Sequence, residues 1–136
     1  MSATPRDSGS ALVEVLVLGV GLLVPLLHTV VSLMAVQSAS FAATSAAREG
    51  ARAYVTSATP AQAVARSRAA VALVLADAGV EPVLPSVRCV GGCLQPASRV
   101  DVTVRVEVPL PLLPGGPTVG VTGQESMPVD AYREVP

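Results

Sequence analysis

The sequence contains neither lysine nor tryptophan, and it has a single histidine. All nine basic residues are arginines, which are scattered rather than clustered, and the formal net charge is −1. Because there is no basic patch, no nucleic-acid partner is evident. Aromatic side chains that could stack on bases or sugars are also few: Phe41, Tyr54 and Tyr132. A chain of 136 residues has room for one small domain besides any membrane segment.

The residues that most catalytic sites require are also scarce. The only histidine, His28, lies in an apolar stretch, which excludes a Ser-His-Asp or Cys-His arrangement in the polar part of the chain. A structural zinc site needs four Cys or His ligands, so we expect no metal and no other cofactor. Gly91-Gly92 and Gly115-Gly116 lack the lysine of a phosphate-binding loop. We therefore expect the protein not to be an enzyme. The downstream carboxylates are scattered, mostly on faces predicted to meet solvent: Asp77, Glu81, Asp101, Glu107, Glu125 and Asp130.

A long apolar run is the dominant feature of the sequence. From Val15 to Ala47 the chain has no Asp, Glu, Lys or Arg. A helix that crosses a membrane needs about 20 apolar residues, and we place the membrane-spanning part at about residues 12–36. Glu14 stands at the entrance of this run, where a carboxylate is costly unless it meets water or a cation. We expect His28, inside the span, to bond a backbone carbonyl or a neighbouring helix.

The segment Gly9-Ser10-Ala11-Leu12-Val13-Glu14 resembles the prepilin signal of the type IV pilin superfamily. The resemblance implies an unstructured leader, residues 1–9, that a membrane aspartyl prepilin peptidase removes after Gly9. The mature chain would begin at Ser10, whose new α-amine would pair with Glu14 of a neighbouring subunit and set the axial register. It also implies a cytoplasmic N-terminus, an outer C-terminal domain, and extraction from membrane lipid into a surface filament.

A second stretch, Ser45-Ala46-Ala47-Arg48-Glu49-Gly50-Ala51-Arg52, is similar to the one that follows the membrane helix in TadE-like proteins. These are minor pilins or pseudopilins of Tad (Flp, type IVc) pilus systems, and their partners are other pilin-type subunits and the assembly machinery. Pro25 lies further into the helix than the proline of that family. The candidate assembly or helix contacts are Glu14, Pro25, Arg48, Glu49, Gly50 and Arg52. The alternative for Arg48, Glu49 and Arg52 is an ordinary solvated helix end in which Glu49 reaches Arg52.

Two alternatives stay open at this point. A secretory signal peptide would have an apolar region of about 7–15 residues, which is shorter than this run. A plain single-span protein would keep its N-terminus and present a small binding domain outside the cell. The charge bias does not fix orientation, because Arg6 precedes the span and Arg48 and Arg52 follow it.

The rest of the chain predicts an α+β fold. We expect one helix over residues 10–57, kinked at Pro25, whose small residues after Met34 either pack in a helical bundle or simply favour helix in water. A domain follows over residues 58–136, with an amphipathic helix that covers a small antiparallel sheet. Its predicted parts are a Thr59 N-cap, a helix over Ala61–Ala78 ended by Gly79, strands over Ser86–Val90 and Val100–Val108, and a last strand over Thr118–Val129 interrupted by Gly120, Gly123 and Pro128.

Two smaller features complete this domain. Cys89 and Cys93 flank a Gly-Gly turn, and outside the cytoplasm we expect them to form a disulfide. Its loop is short, so it should contribute at most about 2 kcal/mol. A redox motif normally has two residues between its cysteines rather than three. The Pro109–Pro117 loop, rich in Leu, Pro and Gly, either covers the core or lies on a membrane or partner.

Overall fold

The structure is a computed structural model that describes residues 8–110 and 116–133. It contains two helices, α1 (Ser8–Val55) and α2 (Pro60–Asp77), and three strands, β1 (Ser86–Val90), β2 (Arg99–Pro109) and β3 (Thr118–Pro128). The strands form one antiparallel sheet in the order β1-β2-β3. The predicted α+β fold is confirmed.

Helix α1 is one continuous element of 48 residues, about 72 Å long, with Pro25 inside it. It begins at Ser8, so Ser8 and Gly9, expected in an unstructured leader, belong instead to its first turn. Residues 1–7 of the expected leader lie outside the described part of the chain. The helix has two dissimilar halves: its large side chains from Leu12 to Met34 are exposed, whereas one side of the second half is buried.

The buried side of α1 consists almost entirely of small residues. It lies against α2, β2 and β3. Small side chains allow two backbones to approach closely, and here the partner of this face is the chain's own domain rather than another subunit. The face ends at Tyr54, whose ring is buried. Its other members are Ala39, Ala42, Ala43, Ala46, Ala47, Gly50 and Ala51.

The sheet follows the predicted alternation. Five valines of β2 are buried beneath α1, whereas the residues between them are half-buried or exposed. Two of these, Arg105 and Glu107, form an ion pair at 3.5 Å on the outer face, and Asp101 accepts a hydrogen bond of 2.6 Å from Ser126 on β3. The sheet therefore has one apolar face covered by helix and one polar face turned to solvent. The valines are Val100, Val102, Val104, Val106 and Val108.

Strand β3 is continuous, so the expectation that glycines interrupt it was wrong. Its pairing with β2 runs without a break from Thr118 to Pro128. Gly123, opposite Val104, is the point where α1 crosses the strand: a Cβ atom there would collide with backbone atoms of Ala43 and Thr44. This glycine serves the packing of α1 rather than a turn. Glu125, expected in solvent, lies two residues further on the same face and is half-buried.

Helix α2 has the expected ends. The Thr59 side chain accepts a hydrogen bond from Gln62 N, and Pro60 occupies the first turn. At the other end, Gly79 has a φ of +69°, and Val80 N donates to Leu75 O at 2.9 Å, which closes a Schellman motif.

The apolar spacing of α2 predicts a face of Val64, Val71, Val74, Leu75 and Ala78 against the sheet. The observed buried face differs, because α2 packs mainly on α1 rather than on the sheet. It consists of Ala63, Ser67, Val71 and Leu75, each fully buried. Gly50 of α1 leaves room for this helix, since a Cβ there would lie 2.7 Å from Val71 Cγ2. The close approach of α1 to α2 therefore needs a glycine at position 50.

Replacing Gly123 with alanine should destabilise the domain by at least about 2 kcal/mol, because the added methyl group meets the α1 backbone and cannot be accommodated by a rotamer change. The measurement is chemical unfolding of the full chain in detergent micelles, followed by circular dichroism.

Gly120→Ala is the matched control on the same strand. A methyl group there meets only the flexible ends of Arg105 and Glu107, at 3.0 and 3.1 Å. It should change the unfolding free energy by less than about 0.5 kcal/mol. Equal stability of the two variants would contradict the described crossing of α1 over β3.

Candidate functional site

Glu14 is the only charged residue in the described chain before Arg48. It is exposed and lies one helical turn, about 6 Å along the axis, beyond Ser10. At this distance a positive group at the start of one helix can meet Glu14 of a second helix displaced by about one turn. A carboxylate at the edge of an apolar segment is stabilised by such a partner or by water.

The half of α1 that follows Glu14 has almost no packing partner in its own chain. Its large side chains are mostly more than half exposed, for example Leu22 at 74% and Leu26 at 58%. By length and composition this helix is able to cross a membrane. Exposure of so many leucines and valines to water would be strongly unfavourable, whereas lipid or other apolar helices would be favourable surroundings for this half.

The middle of this half contains three residues that modify the helix backbone. Pro25 has no N–H and cannot donate to the carbonyl of Gly21, which is the partner it would have in a regular helix. His28 Nδ1 lies 2.9 Å from Val24 O, and Thr29 Oγ1 donates to Pro25 O at 2.8 Å. The imidazole thus bonds a carbonyl of its own helix, as expected. His28 Nδ1 and the Thr29 hydroxyl thus find partners within their own helix, as apolar surroundings favour.

The four residues Arg48, Glu49, Gly50 and Arg52 have two different roles. Gly50 is buried and provides the space for α2, so it acts in folding. Arg48, Glu49 and Arg52 are exposed and line a shallow groove with Ser45 and Met127. Within residues 8–110 and 116–133, the Arg105–Glu107 pair is the only ion pair within 4.0 Å, so the possible Glu49–Arg52 pair does not form. The three charges are therefore available for another molecule.

Cys89 and Cys93 form the expected disulfide, with their Cα atoms 5.2 Å apart. Gly91 and Gly92 have φ angles of +81° and +104°, a region that glycine adopts without steric cost. The Tyr54 hydroxyl lies 3.7 Å from Cys89 Sγ. The disulfide closes the turn after β1, and its Cys89 sulfur contacts Tyr54 at the buried end of α1, which indicates a structural role.

No motif or spacing in the sequence singles out Arg133. Its guanidinium donates to the carbonyl oxygens of Val55 at 3.0 Å and Ala58 at 3.1 Å, and also to that of Ser57. These carbonyls lie at the C-terminal end of α1, where helix bonding leaves acceptors without partners and the helix dipole favours a cation. No local motif links Arg133 to a helix end more than 70 positions earlier in the chain.

The described residues include no group of three or more His, Cys, Asp or Glu side chains placed to hold a metal ion. Comparison with known proteins adds no relative: no protein-family model, no curated protein and no solved structure matches the chain. The functional features of the structure are thus a carboxylate at the start of an exposed apolar helix and a small domain fixed on the far half of that helix.

Replacing Arg133 with alanine should lower the unfolding free energy by about 1–2 kcal/mol, because three carbonyl groups at the end of α1 lose a charged donor. The loss is moderate since Arg133 is only half-buried. Chemical unfolding of the full chain in micelles measures it.

Arg99→Ala provides the control. Arg99 is exposed at the start of β2, and its replacement removes the same charge from the domain. It should change stability by less than about 0.5 kcal/mol. An equal loss in both variants would mean that net charge, and not the cap on α1, accounts for the effect.

Proposed function

We propose that this protein is a structural, non-enzymatic subunit of a filament, a TadE-like minor pilin or pseudopilin of a type IVc pilus or related secretion system. In this proposal a prepilin peptidase cuts the chain after Gly9. The mature chain stays in the membrane through the first half of α1, with its domain outside, until the machinery inserts it into the fibre.

The observation that carries the proposal is the position of Glu14, a single carboxylate at the start of an otherwise charge-free, exposed apolar stretch of helix. The exposed half of α1 needs apolar surroundings on every side, and both a bilayer and a bundle of similar helices provide them. The Glu14 carboxylate is unfavourable in either surrounding unless a cation accompanies it. An upstream cut supplies that cation, since hydrolysis of the Gly9–Ser10 bond leaves a carboxylate on Gly9 and an ammonium group on Ser10.

The structure of α1 adds a requirement to this step. Gly9 and Ser10 are helical in the uncut chain, and a peptidase needs its substrate bond in an extended form. Gly9 lowers the cost of unwinding this first turn, because glycine is a poor helix former by about 1 kcal/mol relative to alanine. Glycine also leaves no side chain in the way of the peptidase.

Replacing Gly9 with leucine should abolish removal of the leader, because the side chain obstructs the cleavage site and strengthens the first turn. In cells that carry the pilus machinery, the variant should retain residues 1–9, which intact-mass spectrometry of the purified chain detects.

Gly19→Leu makes the same change ten positions along the same helix, where a Cβ meets nothing within 4 Å. It should be processed normally. Normal processing of the Gly9 variant would remove the proposed cleavage site.

Replacing Glu14 with alanine should leave membrane insertion intact, because it makes α1 more apolar, but should reduce incorporation into filaments at least tenfold. The reason is that the Ser10 ammonium of a neighbouring subunit would lose its partner. The measurement is the amount of protein in sheared filaments relative to that in membranes.

Two further variants separate charge from size at this position. Glu14→Asp retains a carboxylate and should recover most of the incorporation, whereas Glu14→Gln should behave like the alanine variant. Full incorporation of Glu14→Gln would exclude a charge pair as the function of Glu14.

A further inference from the structure

One side of the exposed half of α1 differs from the leucines and valines around it. Gly21, Pro25, His28 and Ser32 follow one another at intervals of four, three and four residues, so they form one stripe along the helix, named here the polar seam. The same alternation continues upward to Ala39, which is buried against the domain. The polar seam therefore lies on the domain side of α1, below the domain.

Several polar groups of this seam are incompletely bonded within residues 8–110 and 116–133. The Gly21 carbonyl lacks its regular donor, because Pro25 has no N–H. His28 Nδ1 lies 2.9 Å from Val24 O, and since a carbonyl can only accept, Nδ1 carries the proton of the neutral ring. Nε2 is therefore an acceptor, and the structure gives it no donor. The buried Ser32 hydroxyl also has no partner.

Acyl chains do not satisfy such groups. An unbonded polar group in hydrocarbon is strongly unfavourable, and lipid tails offer no donor. His28 Nε2 needs an N–H or O–H group, which a neighbouring helix can bring into a bilayer with its own backbone already bonded. Gly21 provides room for such a helix, since a Cβ there would meet nothing within 4 Å.

The domain limits which helix can lie along the seam. Val108 and Pro109, at the end of β2, line the same cavity as Ala35 and Ala39 of α1. A parallel second copy at the same depth would continue as helix to its own Val55 and collide with this domain. To clear the domain it would have to move down by about 30 Å, which is the thickness of the hydrocarbon core. A helix that ends at the membrane surface meets no such obstacle.

We propose that the polar seam binds a membrane-spanning helix of a different protein, one that ends at the outer surface of the membrane and presents a hydroxyl or amide donor to His28 Nε2. The contact goes beyond the proposed function and rests on one part of it, the residence of α1 in a bilayer. It requires neither cleavage nor a filament. Polar contacts between membrane helices are modest in strength, and small residues such as Gly21 add close packing to them.

A defined peptide tests the chemistry of this contact. The full chain is reconstituted in phosphatidylcholine vesicles with a leucine-rich peptide of about 24 residues, which is long enough to span them. One peptide has serine four residues to either side of its midpoint, close to the depth of His28 in either orientation, and the other has alanine there. Fluorescence energy transfer between chain and peptide should show about threefold or tighter binding of the serine peptide.

Variants of the seam identify the groups involved. His28→Leu should remove the preference for the serine peptide, because leucine offers no acceptor, whereas His28→Gln retains an acceptor and should keep part of it. Gly21→Leu should weaken binding about threefold or more by filling the open space. Gly19→Leu is the matched control, since Gly19 has equally open surroundings but lies on the opposite side of the helix. A preference that persists in His28→Leu, or equal effects of the two glycine variants, would overturn the contact.

Two differently labelled preparations of the full chain, mixed in the same vesicles, test the excluded partner. Energy transfer between them should be the same for the wild-type chain and for His28→Leu. A loss of transfer in His28→Leu would make a second copy the occupant of the seam and overturn the proposal.

The two proposals fail separately. A chain that starts at Ser10 and is present in filaments, but shows no preference for the serine peptide, would contradict the polar seam and leave the proposed function standing. A preference that depends on His28, in a chain that is never cut or found in filaments, would retain the seam and contradict the proposed function.

Discussion

The close packing of α1 on β3 and α2 is the contact on which the rest of the molecule depends. It is made by side chains that are small or absent, with Gly123 against Ala43 and Gly50 against Val71. Because α1 is continuous from Ser8 to Val55, fixing its second half also fixes the direction of its first half. The domain thus holds an exposed apolar rod in a defined orientation, which a flexible linker could not do.

Three features of the proposed function follow from this one helix. Its first turns contain the proposed processing site and Glu14, its exposed half is apolar and long enough to span a membrane, and its second half carries the domain. The small residues after Met34 are buried within the chain, so only the opposite side of this half of the helix is exposed. The exposed groups there include Arg48, Glu49 and Arg52 as well as Phe41.

Features governed by local rules could be predicted from the sequence. The alternating valines from Val100 to Val108 fix a strand with one buried face, and Thr59 with Pro60 fixes the start of α2. The Cys89–Cys93 bridge follows from spacing and the glycines between them.

Features that depend on distant partners could not be predicted. A glycine in a strand usually marks a weak point, and nothing near Gly123 in the sequence shows that a helix will cross there. Arg133 is linked to α1 only by the folded chain. The buried face of α2 was misjudged because α1, rather than the sheet, is its main neighbour.

The same division holds for the candidate site. Gly9, Ser10 and Glu14 can be identified from the sequence because their spacing relative to an apolar run is a local property. That Gly50 has a different role from Arg48 and Arg52 is seen only in the folded chain. Gly50 belongs to the core, and only the charged residues around it face outward.

The most direct measurement is the intact mass of the wild-type chain recovered from cells that express the pilus machinery. The account predicts a mature chain that begins at Ser10, in both the membrane and the filament fractions. A chain that begins at Met1 or Ser2, or late in the apolar run, would contradict it, since Glu14 would then have no new ammonium group to meet.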